Sequence, residues 1–169
     1  MDVALRYLAA RPRSEAEVRR RLTRSDRRGG GFSSDQVEAT LTQLRQHGLL
    51  DDARFAQYWL EQRRTFRPRG ARLLQAELRQ RGIASDLAAE TTAALADDSA
   101  AVAQDAYRAA RKRALQLADA DERTFRTRIG QFLARRGFDW ETIAAVTERL
   151  WLSSRGGAEG SRVHMSSRP

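Results

Sequence analysis

The sequence predicts an all-α protein of three tandem three-helix repeats, forming an elongated, curved array. Three observations carry that expectation. The first is internal repetition: Phe32-Ser-Ser-Asp-Gln-Val37 aligns with Ile83-Ala-Ser-Asp-Leu-Ala88 and Phe138-Asp-Trp-Glu-Thr-Ile143. Each opens on a large apolar residue, sets an acid at the fourth place (Asp35, Asp86, Glu141) and an apolar residue at the sixth. Leu44, Leu95 and Leu150 follow at matching positions, and Val18/Leu22, Leu74/Leu78 and Ile129/Leu133 match upstream. The second is a dense set of helix start and stop signals. The third is the near absence of apolar–polar alternation, with β-branched residues scattered. Repeats near fifty residues are usually small helical units that bury their apolar stripes within and between themselves. An array of this kind offers an extended surface, suited to a long partner.

The chain opens almost at once on its first helix. Ser14-Glu-Ala-Glu17 reads as a capping box ahead of Val18 and Leu22, and Ser33-Ser-Asp-Gln36 as a second ahead of Val37, Leu41 and Leu44. Gly48 is placed to end that helix in the left-handed conformation. Asp51 or Asp52 caps the next helix, whose inward side reads Phe55, Ala56, Trp59 and Leu60. Arg67-Pro-Arg-Gly70 breaks the chain before Leu74 and Leu78, and Gly82 closes that helix as Gly137 closes its counterpart. A long helix then carries Val102, Ala103, Ala106, Ala110 and Leu117. Phe125, Ile129, Phe132 and Leu133 mark the eighth helix, and Ile143, Val146 and Leu150 the ninth. The expected boundaries are residues 1–49, 50–97 and 98–152 for the three repeats. Residues 23–31 are an Arg/Gly-rich insertion in the first repeat, expected to be a mobile basic loop. Residues 153–169, dominated by glycine, serine and polar residues, are expected to be a disordered tail.

Composition narrows the function. A hydrophobic fraction of 41% beside 31% charged residues fits a soluble helical protein. Cysteine is absent, which removes disulfides and thiolate metal sites together. No apolar run approaches the roughly 20 residues a membrane span needs, and nothing at the start reads as a secretory leader, so a cytoplasmic address is expected. The net charge of +9 suggests an anionic partner, nucleic acid first. Lys112 is the one lysine among 31 basic residues. A GC-rich genome accounts for that preference, but not for the excess of base over acid. Guanidinium groups bind phosphate bidentately and stack on bases whatever drove their choice.

Catalysis finds little footing. His47 precedes a helix-ending glycine, His164 lies in the tail, and neither has metal-ligand spacing. Gly29-Gly-Gly31 lacks the Lys-Ser/Thr that a phosphate-binding loop needs. Asp51/Asp52 and Asp97/Asp98 are consecutive, so on a helix they do not face one another; capping explains them. No enzyme activity, cofactor or metal site is expected. Trp59, Trp151 and Phe55 fall on apolar stripes and read as core. Trp140 sits at a helix start outside the stripe.

Arginines are the candidate binding residues. Arg20 and Arg24 share a face opposite Val18 and Leu22. Arg63, Arg64, Arg67, Arg69 and Arg72 cluster around the turn into the second repeat's middle helix, with Arg79 two turns along. Arg108, Arg111 and Lys112 make an i, i+3, i+4 stripe. Recurrence in all three repeats suggests one basic track that would bind phosphates with little sequence preference and lose affinity with salt.

Gly48-Leu-Leu-Asp-Asp-Ala-Arg-Phe-Ala56, with Arg69-Gly70 leading into Leu74-Gln-Ala-Glu-Leu-Arg-Gln-Arg-Gly-Ile83, resembles the central signature of the RecX family. Ser14-Glu-Ala-Glu-Val-Arg-Arg-Arg-Leu22 resembles its first repeat. Ala110-Arg-Lys-Arg-Ala114 with Phe132-Leu-Ala-Arg-Arg-Gly-Phe138 resembles its last. The resemblance spans roughly residues 2–151 and sets Asp51, Asp52, Phe55, Arg69 and Gly70 in the central motif, Asp52 and Gly70 as cap and turn. It implies a non-catalytic regulator of the RecA recombinase in DNA repair, recombination and the SOS response. Such a protein lies in the groove of the RecA–single-stranded DNA filament and suppresses ATP hydrolysis, strand exchange and co-protease activity. The expected partners are that filament and non-specific single- or double-stranded DNA, with no membrane, and the protein is expected to be a monomer. The alternative reading is a stand-alone helical DNA-binding regulator of transcription, since three-helix units can set a recognition helix in the major groove. The insertion at 23–31 is longer than the family pattern.

Overall fold

The structure, a computed structural model, describes residues 1–24 and 31–162, and the side chains up to 155 apart from 96. Among the described residues there are nine α-helices and no strand. They are α1 (Asp2–Ala9), α2 (Glu15–Thr23), α3 (Ser34–Gln46), α4 (Asp52–Phe66), α5 (Ala71–Gln80), α6 (Ser85–Ala96), α7 (Ser99–Leu115), α8 (Glu122–Arg135) and α9 (Trp140–Arg162). No helix among these residues is long and apolar enough to cross a membrane. Residues 25–30 of the insertion and residues 163–169, His164 included, lie outside the described residues.

Helix starts follow from local chemistry. Ser33 Oγ accepts from the Gln36 amide and the Gln36 side chain accepts from the Ser33 amide, closing a full capping box on α3. At α2 only half the expected box forms. Ser14 Oγ accepts from the Glu17 amide, but the Glu17 carboxylate pairs with Arg81 and Arg11 instead of turning back. Asp98 and Asp121 cap α7 and α8, and Asp139 Oδ1 accepts from the Thr142 amide at 2.8 Å in the first turn of α9. Burial alone would push the Asp139 carboxyl up, yet the hydrogen bonds from Thr142 hold it below the ordinary range.

Three helices end alike. At Gly48, Gly82 and Gly137 φ is +65°, +86° and +82°, a region glycine enters without strain. In each case the glycine amide and the next amide turn back onto the last-turn carbonyls: Leu49 to Leu44, Ile83 to Leu78, Phe138 to Leu133.

Two compact units divide the chain: Met1–Gln62 with Gln75–Thr92, and Arg63–Leu74 with Ala93–Pro169. The divide runs through α4, α5 and α6, so the middle repeat contributes to both.

In the first unit, α1, α2 and α3 bury Ala4, Val18, Leu22, Val37, Leu41, Leu44 and Leu50 together. Asp51 Oδ1 accepts from the Arg54 amide and so caps α4. Asp52 Oδ1 instead accepts from the Glu15 amide at 2.8 Å, satisfying the first turn of α2. The sequence left these two roles interchangeable; the fold separates them. Ser14 Oγ donates to the Arg81 carbonyl at 2.6 Å, Arg81 stacks over the Trp59 ring at 3.5 Å, and Trp59 Nε1 donates to Glu77 at 2.9 Å. Trp59 thus satisfies its polar edge while it stacks against buried Phe55.

In the second unit, α7, α8 and α9 bury Ala106, Ala110, Ala114, Leu117, Phe125, Ile129, Leu133, Phe138, Ile143, Val146 and Leu150. Trp151 packs on Phe125, with ring centroids 5.2 Å apart. Each of the larger side chains removed from water contributes roughly 1.5–3 kcal/mol before chain entropy is charged against it.

Two expectations need correcting. Phe32 matches Ile83 and Phe138 in the alignment, and its amide makes the corresponding bond to Leu22, but it is 43% exposed while they are 3% and 6%. There the chain reaches that bond after the insertion and not through a tight glycine turn, so the backbone register survives and the side-chain seat does not. Helix α9 also runs on to Arg162, past the Ser153 set as the start of the tail. Arg155 holds the extension by stacking over Trp151 at 4.2 Å and donating to the Ala120 carbonyl at 3.1 Å.

Candidate functional site

The densest basic feature belongs to the second unit. Its frame is a close approach of two backbone segments. The Gly70 amide donates to the Arg136 carbonyl at 2.9 Å, and Arg136 Nη1 donates back to the Pro68 carbonyl at 3.2 Å. A Cβ on Gly70 would stand 2.0 Å from the Gly137 oxygen, and one on Gly137 would stand 2.6 Å from Leu73 Cβ. Gly70 has no left-handed φ, so it is glycine for space alone.

Beside that approach lies an open cavity of about 670 Å³ lined by Arg67, Arg69, Arg108, Arg135 and Arg136, with Phe66, Pro68, Leu73 and Ala109 completing the wall. No acid lines it. Burial lowers the pKa of Arg136, with Arg67 adding repulsion; burial likewise lowers Arg69, beside Arg63, Arg136 and Arg67. Burial alone lowers Arg63. These shifts register crowded, partly desolvated positive charge, which an anion relieves. Bidentate guanidinium forks suit phosphate or carboxylate oxygens.

Of the predicted residues, the cavity brings together Arg67, Arg69 and Arg108. Arg63 borders Arg69 electrostatically from the end of α4. Arg64 and Arg108 converge on Asp105, which is 4% exposed: Arg64 Nε lies 3.0 Å from one carboxylate oxygen and Arg108 Nη2 contacts the other. Arg108 Nη2 also donates to the Arg64 carbonyl at 3.1 Å. These two arginines therefore neutralise a buried acid, and Arg64 belongs to that pair and not to the cavity wall. Arg72, Arg111 and Lys112 are exposed and lie outside the cavity. In the first unit Arg79 is exposed on α5. Arg20 and Arg24, with Arg21, Tyr7 and Glu17, border a separate pocket of about 210 Å³, and Arg20 reaches the Ala16 carbonyl at 3.1 Å. Among the motif residues, Phe55 is buried, Asp51 and Asp52 cap two different helices, and Gly70 makes the close approach just described.

Sequence reasoning missed Arg135, Arg136 and Asp105. The first two stand in the Arg-Arg-Gly run before Gly137, a visible signal whose partner was not. Asp105 stands among alanines on the long helix, where a lone acid reads as solvated. Trp140, which the pattern left outside the core, is 78% exposed.

A chain of three-helix repeats that gathers arginines around one cavity is a helical-repeat protein. Family models agree with that class and name it. Residues 1–44 match the first three-helix domain of RecX, residues 51–91 the second, and residues 103–147 the third. The chain belongs to the RecX family. It is 34% identical over 137 residues to the regulatory protein RecX of Amycolatopsis mediterranei, covering 81% of this chain and 74% of that one. It is 36% identical over 146 residues to the regulatory protein RecX of Mycobacterium avium, covering 85% and 80%. In fold it is similar to the crystal structure of RecX from Lactobacillus salivarius: TM-score 0.75 at 20% identity, covering 89% of this chain and 94% of that one.

Proposed function

We propose that this protein is a non-catalytic inhibitor of the RecA recombinase. It binds in the groove of the RecA–single-stranded DNA filament, contacts DNA without sequence preference, and restrains ATP hydrolysis, strand exchange and co-protease activity. Membership of a family of regulatory proteins supports a regulatory role. The observation that carries the rest is the arginine-lined cavity: Arg67, Arg69, Arg108, Arg135 and Arg136 border one space, and of these Arg108 also pairs with Asp105. A polyanion would fill it, since each phosphate placed there relieves repulsion among the arginines and releases its own counterions. The readable geometry is charge and shape only, so affinity would follow backbone charge and not base identity. Arg20 and Arg24 in the first unit, with Arg72, Arg79, Arg111 and Lys112 on exposed helix faces, would add weaker contacts of the same kind.

The test is a titration of RecA's DNA-dependent ATPase with the native protein and with an Arg67→Glu/Arg135→Glu variant. Neither side chain makes an ion pair among the described residues, and both line the cavity. Arg64 is left intact because a carboxylate there would face buried Asp105. The variant should need at least tenfold more protein for half-inhibition at an unchanged melting temperature. Undiminished inhibition would remove the cavity from the interface. Tight, sequence-dependent binding of bare duplex without recombinase would favour a transcription regulator instead.

A further inference from the structure

The three glycine-ended helices are alike in backbone and differ in one side chain. After Gly82 and Gly137 the next residue turns inward, and Ile83 and Phe138 are almost wholly buried. That inward contact is the usual companion of this helix ending. After Gly48 the same hydrogen bonds are made, but Leu49 is 48% exposed. Leu50 takes the buried seat in its place. Leu49 instead stands on the wall of a groove of about 440 Å³ in the first unit, with Leu8, Phe55 and Tyr58 beside it.

The rim of this groove is cationic. Arg11, Arg13 and Arg54 border it. Arg11 leans to Glu17 at 3.5 Å and Arg13 stacks over Tyr7 at 4.0 Å, whereas Arg54 makes no ion pair among the described residues. The single carboxylate on the wall, Asp51, is committed to capping α4.

We propose that this groove docks an acidic segment of a partner protein, with a bulky apolar side chain seated against Leu8, Leu49 and Tyr58. Flanking carboxylates would pair with Arg54 and Arg11. Charge complementarity selects that occupant. A nucleic-acid strand would set phosphates against Asp51, and of the two aromatic rings on the wall Phe55 is buried and out of reach of a base. A second copy of this chain, itself at +9, would be repelled by the arginine rim. An apolar anchor between charged flanks matches the usual anatomy of a docking surface, a buried centre within a polar rim. The inference is independent of the recombinase reading, because it concerns different residues.

An array of short synthetic peptides, each setting one apolar residue between pairs of Asp or Glu, tests it against the full-length protein. Peptides with Leu, Phe or Trp at the centre should bind, and the same peptides with Ser at the centre should not. Fluorescence anisotropy of the best binder should show at least a tenfold loss of affinity for Leu49→Asp and, separately, for Arg54→Glu. Both positions are exposed, so melting temperature and single-stranded DNA affinity should stay at the native values. Should Leu49→Asp perturb folding, Leu49→Ser and Arg54→Glu carry the same test. Absence of any binding peptide, or binding that survives both substitutions, overturns the proposal. So would loss of oligonucleotide binding in these variants, which would assign the groove to nucleic acid, or a Leu49-dependent dimer in sedimentation, which would assign it to a second copy.

Discussion

Asp52 is a carboxylate whose neighbourhood works in two directions. Burial pushes its pKa above the ordinary value and the nearby acids Glu15 and Asp51 add to that, while the hydrogen bond from the Glu15 amide opposes them. A carboxyl whose folded pKa lies above its unfolded value binds its proton more tightly when folded. Its contribution to stability is therefore fully present below the unfolded value and is lost as pH rises through the folded one. Asp52→Asn keeps an oxygen for the Glu15 amide and removes the charge. Urea unfolding between roughly pH 4 and 6 should show the native protein losing stability relative to Asp52→Asn as pH rises. Asp52→Ala, which removes the acceptor, should cost about 1–2 kcal/mol across that range. A flat difference between native protein and Asp52→Asn would mean that the carboxylate is better solvated than its burial implies.

At the scale of elements, the glycines separate space from conformation. Gly48 has a left-handed φ and nothing within 4 Å of where a Cβ would stand. Gly48→Ala should therefore cost only the backbone penalty, about 1–2 kcal/mol. Gly70 has an ordinary φ but lies against the backbone at Gly137, so Gly70→Ala must push two segments apart. Its cost should reach about 2–3 kcal/mol. Because the same approach positions Arg69 and Arg136, DNA affinity should fall too, whereas Gly48→Ala should leave it alone. Thermal denaturation alongside a binding titration distinguishes these outcomes. The two positions look alike as sequence: each is a glycine after a polar run. Gly48 was legible as a helix end from its own neighbours. The reason for Gly70 lies in Gly137, a residue far along the chain, which no local pattern contains.

For the whole molecule, the prediction concerns salt. Affinity for single-stranded DNA should fall linearly on logarithmic axes, by roughly 0.7 for every phosphate neutralised. Replacing Arg67 and Arg135 by Ala should flatten that slope by roughly 0.7 for each phosphate that those two side chains neutralise. Base sequence should change it little. A slope unaltered by those substitutions would place the phosphates elsewhere on the molecule.

Fold class, helix order and most buried positions were determined by the sequence itself. Apolar spacing along a helix selects its inward face, and caps and glycines mark its ends by chemistry confined to a few neighbouring residues. Val18, Leu22, Leu74, Leu78, Ile129 and Leu133 are all buried as their repeated spacing requires. Where Arg64 and Arg108 spend their charge, why Gly70 is glycine and which arginines share a cavity were decided only in three dimensions. Each of those depends on residues tens of positions apart meeting across packed helices, and charge along a chain carries no record of which acid will be buried against it.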